Sequence, residues 1–371
     1  MSDFSRSFAK AKLTSLPPEP PLQEEDEDDS SSSSVSSTGT IVPSITRKPA
    51  VPLPWSNFFA QELYLTQESP TASAKFHVYL TPPSSPTAPL FVLHHGAGST
   101  AMSFALFALE LKRLLPACGI LAVEARDHGS VVYDTNGEVN NHLHIDNLAQ
   151  DLLDMINLTA EKCQWTDLPK MLLIGHSLGG AVVTHVAKSF VLGPKVIGFS
   201  VLDVVEGSAM DALKSMNSYL ATRPSSFASL DQAIHWHIRS RTLRNVESAK
   251  ASVPSLLLQG ESGKWHWRTD LSRTEAYWEN WFQGMSGKFL GSRGAKLLIL
   301  AGTDRLDKDL MIGQMQGKFQ LQVFPAAGHF LQEDLPEKTA EVIAEFFRRN
   351  DQSTLVLPPK VSDLLSQGKK V

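Results

Sequence analysis

The stretch Lys170–Phe190, KMLLIGHSLGGAVVTHVAKSF, constrains the fold of this chain more than any other part. An apolar run from Met171 to Ile174 predicts a buried strand, and helical periodicity follows a Gly-His-Ser-Leu-Gly turn. The glycines two residues before and two after Ser177 allow a turn so sharp that side chains there would clash with neighbouring backbone. The pattern of strand, turn and helix predicts a nucleophile elbow that exposes Ser177.

The residue after this serine, Leu178, begins the predicted helix. Its amide points to the place where an oxyanion would form, and the helix dipole adds to the attraction for negative charge. A plain glycine-rich turn is the alternative. The strand before the motif and the helix after it favour the elbow.

Composition sets broad limits on the fold and its partners. The 371 residues are enough for one large α/β domain or two small ones. The net charge is −5, and leaving out the six carboxylates of the run Glu24–Asp29 changes it to +1. A nearly neutral folded part does not indicate nucleic-acid binding. The two cysteines, Cys118 and Cys163, cannot form a disulfide framework, so we expect a reducing compartment.

The ends of the chain differ from its middle. Residues 1–48 are acidic and rich in serine, which predicts a disordered tail, and phosphorylated regulatory serines are the alternative to a merely solvated segment. We expect one domain over residues 49–350 and a frayed tail over 351–371. The N-terminus lacks an apolar signal region, and no stretch approaches the roughly 20 apolar residues of a membrane span. We therefore expect a soluble protein without membrane association, in the cytoplasm with the nucleus as an additional location.

Strands and helical segments alternate along the domain, which predicts an α/β fold with a mostly parallel sheet flanked by helices. Within it, Lys75–Leu80 alternates like an edge strand. About 90 residues separate Asp203 from the next clear strand, which starts at Lys296, far more than a βα connection needs. We predict that residues from about 205 to 295 form a helical cap, with a core supplied by five of the seven tryptophans.

A small-residue loop, His94–Ser99, follows the buried strand Leu90–Leu93 and precedes a helical stretch. In hydrolases of this architecture, such a loop supplies the second oxyanion-hole amide, and Ala97 is our candidate donor. An ordinary tight turn is the alternative. Further on, Glu124–Gly129 resembles a D-x-R-x-H-G segment common in these hydrolases, and we interpret it as structural.

Acyl transfer by serine needs a base to take the proton and an acid to orient the base. His329 follows the last predicted strand in a Gly-His loop, where the base of such a hydrolase belongs. Two aspartates are candidates for the acid, because Asp304 ends the penultimate strand and Asp203 ends the strand after the nucleophile unit. The pattern alone does not choose between them. We predict no metal site, since His142 and His144 would point in different directions on a helix.

Three segments together resemble the protein phosphatase methylesterases, a family of α/β-hydrolases: GHSLGGAVVTHVAKS, LDVVEGSAMDAL and LAGTDRLDKDLMIGQMQGKFQLQVFPAAGH. The resemblance covers roughly residues 49–350. In that family the acid is the aspartate that opens DVVEG, so the resemblance implies Asp203 as the acid, Ser177 as the nucleophile, His329 as the base and Asp304 as a structural residue. This chain departs from the family where HHGAGS replaces HGGG and where the cap lacks a long acidic insertion.

The resemblance implies a carboxylic-ester hydrolase that removes the methyl ester from the C-terminal leucine of the protein phosphatase 2A catalytic subunit, without a cofactor. A general carboxylesterase for small esters and a protein that sequesters the phosphatase are the alternatives. For the intended substrate, we hypothesise that the phosphatase docks on the cap, with Arg239 and Arg244 as contact candidates.

Overall fold

The computed structural model describes residues 49–68, 72–302 and 306–351. The predicted tails, residues 1–48 and nearly all of 351–371, and the candidate acid Asp304 therefore lie outside the described residues. Among the described helices, none is long and apolar enough to cross a membrane.

A mixed sheet forms the centre of the domain. The strands are β1 (Gln61–Glu68), β2 (Ser73–Thr81), β3 (Leu90–His94), β4 (Gly119–Val123), β5 (Val131–Tyr133), β6 (Met171–His176), β7 (Val196–Leu202), β8 (Leu257–Gln259), β9 (Trp265–Trp267), β10 (Ala295–Leu300) and β11 (Gln320–Val323). The strand order is β1-β2-β4-β3-β6-β7-β10-β11, with β5 paired to β2, while β8 and β9 form a separate two-stranded sheet. Three neighbouring strands of the large sheet, β4, β3 and β6, are buried at every position because they consist almost entirely of apolar residues.

The six strands that lie side by side in the order β4-β3-β6-β7-β10-β11 run parallel to one another. Strands β1, β2 and β5 join the sheet by antiparallel pairing. The predicted mostly parallel sheet is confirmed, but the prediction of an edge strand over Lys75–Leu80 is wrong. This segment lies in β2, between β1 and β4. Lys75 stays exposed, but His77 is buried because Tyr64 of β1 stacks on its ring at 4.6 Å between centroids, and His77 Nε2 lies 2.9 Å from Glu62 Oε1.

Helices cover both faces of the sheet. The helices are α1 (Ala105–Leu114), α2 (Ile145–Lys162), α3 (Leu178–Ser189), α4 (Glu206–Ala221), α5 (Leu230–Arg239), α6 (Val246–Ser252), α7 (Trp278–Phe282), α8 (Met285–Gly291), α9 (Lys308–Met315), α10 (Leu331–Asp334) and α11 (Pro336–Asn350). One face of the sheet packs against α2 and α3, and the other packs against α1 and α11, so each face has its own apolar core.

The predicted cap lies between β7 and β10 and consists of α4 to α8 with the small β8–β9 sheet, so it is not entirely helical. The flanking strands differ from the prediction by one residue each. Strand β7 ends at Leu202, which makes Asp203 the first residue after it, and β10 begins at Ala295. This position places the Asp203 side chain at the carboxyl edge of the sheet, where ligands bind in open α/β folds.

Gly179 tests how tightly the first turn of α3 is packed. A Cβ at this position would overlap the backbone of His94 and His95, so we expect Gly179→Ala to lower the free energy of unfolding by more than about 4 kcal/mol. Gly287 in α8 is the matched control, because nothing lies within 4 Å of an added Cβ. Gly287→Ala should raise stability by up to about 1 kcal/mol. Urea unfolding measures both, and equal stabilities for the two variants would contradict the packing at the elbow.

Candidate active site

Ser177 joins β6 to α3 in a strained conformation, with φ of 51° and ψ of −120°. Residues other than glycine rarely adopt a positive φ, and such strain persists only where the surrounding structure imposes it. Here the Ser177 N–H donates to the Leu202 carbonyl at 3.0 Å, and a Cβ on Gly175 would overlap the Gly179 carbonyl. The two glycines therefore permit the sharp turn that was predicted from their spacing.

Asp203 and His329 are in direct contact, although 126 residues separate them in the sequence. His329 Nδ1 lies 2.8 Å from Asp203 Oδ2, while Asp203 Oδ1 accepts the Ala301 N–H at 2.8 Å. The Asp203 carboxylate is buried. The Asp203 backbone has a φ of 52°, which directs the side chain away from the end of β7. Both oxygens of Asp203 are thus held by partners, which fixes the orientation of the imidazole.

The backbone of the loop that carries His329 is fastened from two sides. Asp334 accepts the Gly328 N–H at 2.6 Å through Oδ2 and the Arg244 N–H at 2.8 Å through Oδ1. The Arg244 guanidinium donates to the Ala326 carbonyl. Arg244 was expected to contact a partner from the cap, but the structure engages it with the histidine loop. A change at Arg244 would therefore disturb His329 as well as the cap surface.

His176, directly before the nucleophile, also holds this loop. Its Nε2 lies 2.9 Å from the His329 carbonyl oxygen, and the two rings are 4.7 Å apart between centroids. Burial, followed by the neighbouring His329, lowers the pKa of His176 to about 3, so the ring is neutral and carries its proton on Nε2. No local sequence pattern indicated this contact, because the partner lies 153 residues away.

Ser177 and His329 line the same cavity. Within the described residues, the imidazole of His329 has its hydrogen bond with Asp203 and none with Ser177 Oγ. In many hydrolases such catalytic contacts tighten only when substrate is bound.

Two backbone amides close to Ser177 have no hydrogen-bond acceptor among the described residues: Ala97 N–H, in the loop after β3 that lines the cavity, and Leu178 N–H, at the start of α3 directly after the serine. The two loop amides that follow Ala97 are occupied. Gly98 N–H donates to His128 Nε2 at 2.8 Å, and Ser99 N–H donates back within the loop at 3.1 Å. Of the loop amides after Gly96, Ala97 is the one left to receive an oxyanion.

Two buried histidines, His95 and His128, hold the Ala97 loop in place. His128 donates from Nδ1 to the Arg126 carbonyl at 2.9 Å, and burial lowers the pKa of His128 to about 4, which leaves Nε2 free to accept from Gly98. His95 donates from Nδ1 to the Gly96 carbonyl at 2.7 Å. The segment Glu124–Gly129, interpreted as structural, therefore contributes to the position of the candidate oxyanion loop.

The cavity above Ser177 has a volume of about 530 Å³ and is lined by side chains of both the sheet domain and the cap. The cap contributes mostly apolar groups. Trp278 and Trp281 are buried as predicted for a cap core, yet they also line the cavity together with Trp236 and Trp267. The arrangement suits a partly apolar substrate whose carbonyl reaches Ser177.

No cluster of His, Cys, Asp or Glu within the described ranges could hold a metal ion. The two histidines considered for this role contact the cap instead. His144 Nε2 lies 2.6 Å from Asn280 Nδ2, and His142 Nδ1 lies 3.4 Å from the Tyr277 hydroxyl.

Comparison with known proteins agrees with this architecture. A family model described as "Alpha/beta hydrolase family" matches residues 91–342, which confirms the predicted α/β-hydrolase fold. Among solved structures, E-2-(acetamidomethylene)succinate hydrolase superposes with a TM-score of 0.55 at 18% identity, over 77% of this chain and 100% of that one. A marine microorganism esterase superposes with a TM-score of 0.53 at 20% identity, over 72% and 98%.

Curated relatives are much more similar in sequence. Protein phosphatase methylesterase 1 of Aspergillus fumigatus is 54% identical over 98% of this chain and 93% of its own length. The protein of that name from Gibberella zeae is 50% identical over the full length of both chains, and the one from Schizosaccharomyces pombe is 44% identical over 83% and 87%. With this identity over nearly the whole sequence, the chain belongs to the protein phosphatase methylesterase family of α/β-hydrolases.

Proposed function

We propose that this protein is a serine esterase that hydrolyses the methyl ester on the C-terminal leucine of the protein phosphatase 2A catalytic subunit. The observation that carries the proposal is the 2.8 Å contact between His329 and Asp203 at the edge of the cavity that Ser177 lines. The names of the relatives support a phosphatase as the substrate. The catalytic subunit as partner and a cytoplasmic or nuclear location stay predictions.

In the proposed reaction, Ser177 Oγ attacks the ester carbonyl carbon while His329 Nε2 takes the serine proton. Asp203 accepts from Nδ1–H, which keeps the imidazole in the tautomer that can act as a base and stabilises the imidazolium that forms. His329 then gives the proton to the departing methoxide, so methanol leaves and an acyl-serine remains. Water, deprotonated by the same imidazole, cleaves the acyl-serine and releases the leucine carboxylate.

The negative charge that develops on the carbonyl oxygen needs donors already in position. Ala97 N–H and Leu178 N–H are the candidate donors, and the dipole of α3 adds to the second of them. An ester carbonyl is electrophilic enough for a triad and such a hole, so the mechanism requires no cofactor.

The size and apolar lining of the cavity also suit small esters in general, so a broad carboxylesterase is the second candidate function. Activity on nitrophenyl esters with none on a methylated phosphatase would favour this alternative.

Removal of the nucleophile separates catalysis from sequestration. We expect Ser177→Ala to abolish demethylation of carboxymethylated phosphatase 2A, while binding and the unfolding temperature stay nearly unchanged, because the serine is strained rather than packed. Methanol release and co-precipitation measure the two properties. Residual turnover above a few per cent of wild type would point to another nucleophile. If the Ser177→Ala variant still inhibits the phosphatase by binding it, without demethylating it, the result would favour the sequestering protein.

The choice of acid is tested by two matched amide substitutions. Asp203→Asn keeps an oxygen for the Ala301 N–H but favours the wrong tautomer of His329, so kcat should fall by about 10⁴. Asp304→Asn should mainly lower stability. Steady-state kinetics on a methyl ester peptide measure both, and an exchange of the two phenotypes would contradict the assignment of Asp203.

The support of the oxyanion loop is tested at His128. His128→Phe removes the acceptor of Gly98 N–H and should lower kcat about 10- to 100-fold with little change in KM, because the Ala97 amide shifts. His128→Asn offers a replacement oxygen and should recover part of the loss. Since His128 is neutral above its lowered pKa of about 4, the deficit should be constant across neutral pH. An unchanged kcat in His128→Phe, with the fold intact by circular dichroism, would contradict this role.

A further inference from the structure

The active-site cavity contains a positively charged side chain that the proposed mechanism does not use. Arg223 follows α4, and its guanidinium carbon lies 3.7 Å from the centre of the Trp267 ring. Both side chains line the cavity. Trp267 is itself fixed, because its Nε1–H donates to the Pro224 carbonyl at 2.7 Å. A planar cation is therefore held against an aromatic face in the cavity wall.

Arg223 has no acidic partner in the part of the chain that the structure describes, and its guanidinium makes no hydrogen bond there. Burial lowers the pKa of this guanidinium below its ordinary value, and the opposing electrostatic contribution comes from the Tyr219 hydroxyl. Withdrawing a cation from water without a carboxylate partner costs free energy. Its five N–H donors remain available to a ligand.

The rest of the lining leaves this charge uncompensated. Glu333 is the acidic residue of the cavity wall, and burial raises the pKa of its carboxyl well above the ordinary value. Ser252 Oγ lies 3.0 Å from Glu333 Oε2. Another arginine, Arg241, also lines the cavity, at a strained φ of 56°. The described wall of the cavity thus carries two arginines and one carboxyl among mostly apolar side chains.

We propose that Arg223, stacked on Trp267, is a subsite for an anionic group of the substrate, namely the carboxylate of an acidic side chain in the segment before the methyl-esterified residue. This inference rests on the proposed esterase function. The methyl ester itself is neutral, so it offers Arg223 no charge. A cavity of about 530 Å³ has room for more than a leucine methyl ester, and a guanidinium fork matches a carboxylate with two parallel hydrogen bonds.

A series of short peptides that end in leucine methyl ester tests the subsite. Each peptide carries Asp, Asn or phosphoserine at one of the preceding positions, and kcat/KM is measured for wild type, Arg223→Gln and Arg223→Lys. Arg293→Gln is the matched control, because Arg293 also stacks on an aromatic ring, that of Phe190 at 4.6 Å, but is exposed and does not line the cavity.

At one peptide position, wild type and Arg293→Gln should prefer Asp to Asn by about tenfold or more, as expected for a charge-assisted hydrogen bond. Arg223→Gln should bring the Asp peptide down to the rate of the Asn peptide, which itself should not change. Arg223→Lys keeps the charge without the fork and should give an intermediate preference. It also provides a readout if the glutamine variant does not fold.

Four results would overturn the proposal. Hydrolysis of all peptides without an acidic preference would remove the subsite but leave the esterase function, and equal losses on the Asp and Asn peptides in Arg223→Gln would assign the arginine to cavity structure. A preference confined to phosphoserine would refute a carboxylate ligand. If wild type hydrolyses none of the leucine methyl esters, the proposed function fails and the subsite fails with it.

Discussion

At the elbow, a Cβ added to Gly175 would overlap the backbone of Gly179. In the same way, a Cβ added to Gly179 would overlap the backbone of His94. This close approach lets α3 begin directly at the ends of β6 and β3. It also brings the loop after β3 against the nucleophile, since a Cβ on Gly96 would lie 2.9 Å from Ser177 Cβ. The candidate oxyanion amides and the serine are therefore neighbours because side-chain volume is missing at these glycines.

Histidines at the site divide into two kinds by their surroundings. His176 and His128 are buried, and burial lowers their pKa values to about 3 and about 4, so at neutral pH each is a fixed pair of one donor and one acceptor. They hold the His329 loop and the Ala97 loop. The side chain of His329 is 45% exposed towards the cavity and contacts Asp203 on its other side. The two buried histidines thus position the loops, whereas the exposed His329 is available for proton transfer.

Local patterns predicted the elbow, the alternation of strands and helices and the long cap, because each depends on neighbouring residues. The acid was different. The positions of the strand ends did not decide between Asp203 and Asp304 as the acid, since the choice depends on which strand end lies opposite His329 in space. The same limit hid His176 and Arg244, whose partners in the histidine loop lie 153 and 82 residues away. The prediction of an edge strand over Lys75–Leu80 failed because the sequence analysis did not identify β1, which pairs with β2 on its outer side.

The central claim is that Ser177 attacks the carbonyl carbon of a C-terminal leucine ester. A peptide that carries an aryl phosphonate ester in place of this group tests it most directly, because attack on phosphorus expels the phenol and leaves a stable adduct that mimics the tetrahedral intermediate. Mass spectrometry of the modified protein should find one adduct, on Ser177, that forms far more slowly in His329→Ala. An adduct on another residue, or none on the wild-type protein, would contradict the proposed mechanism.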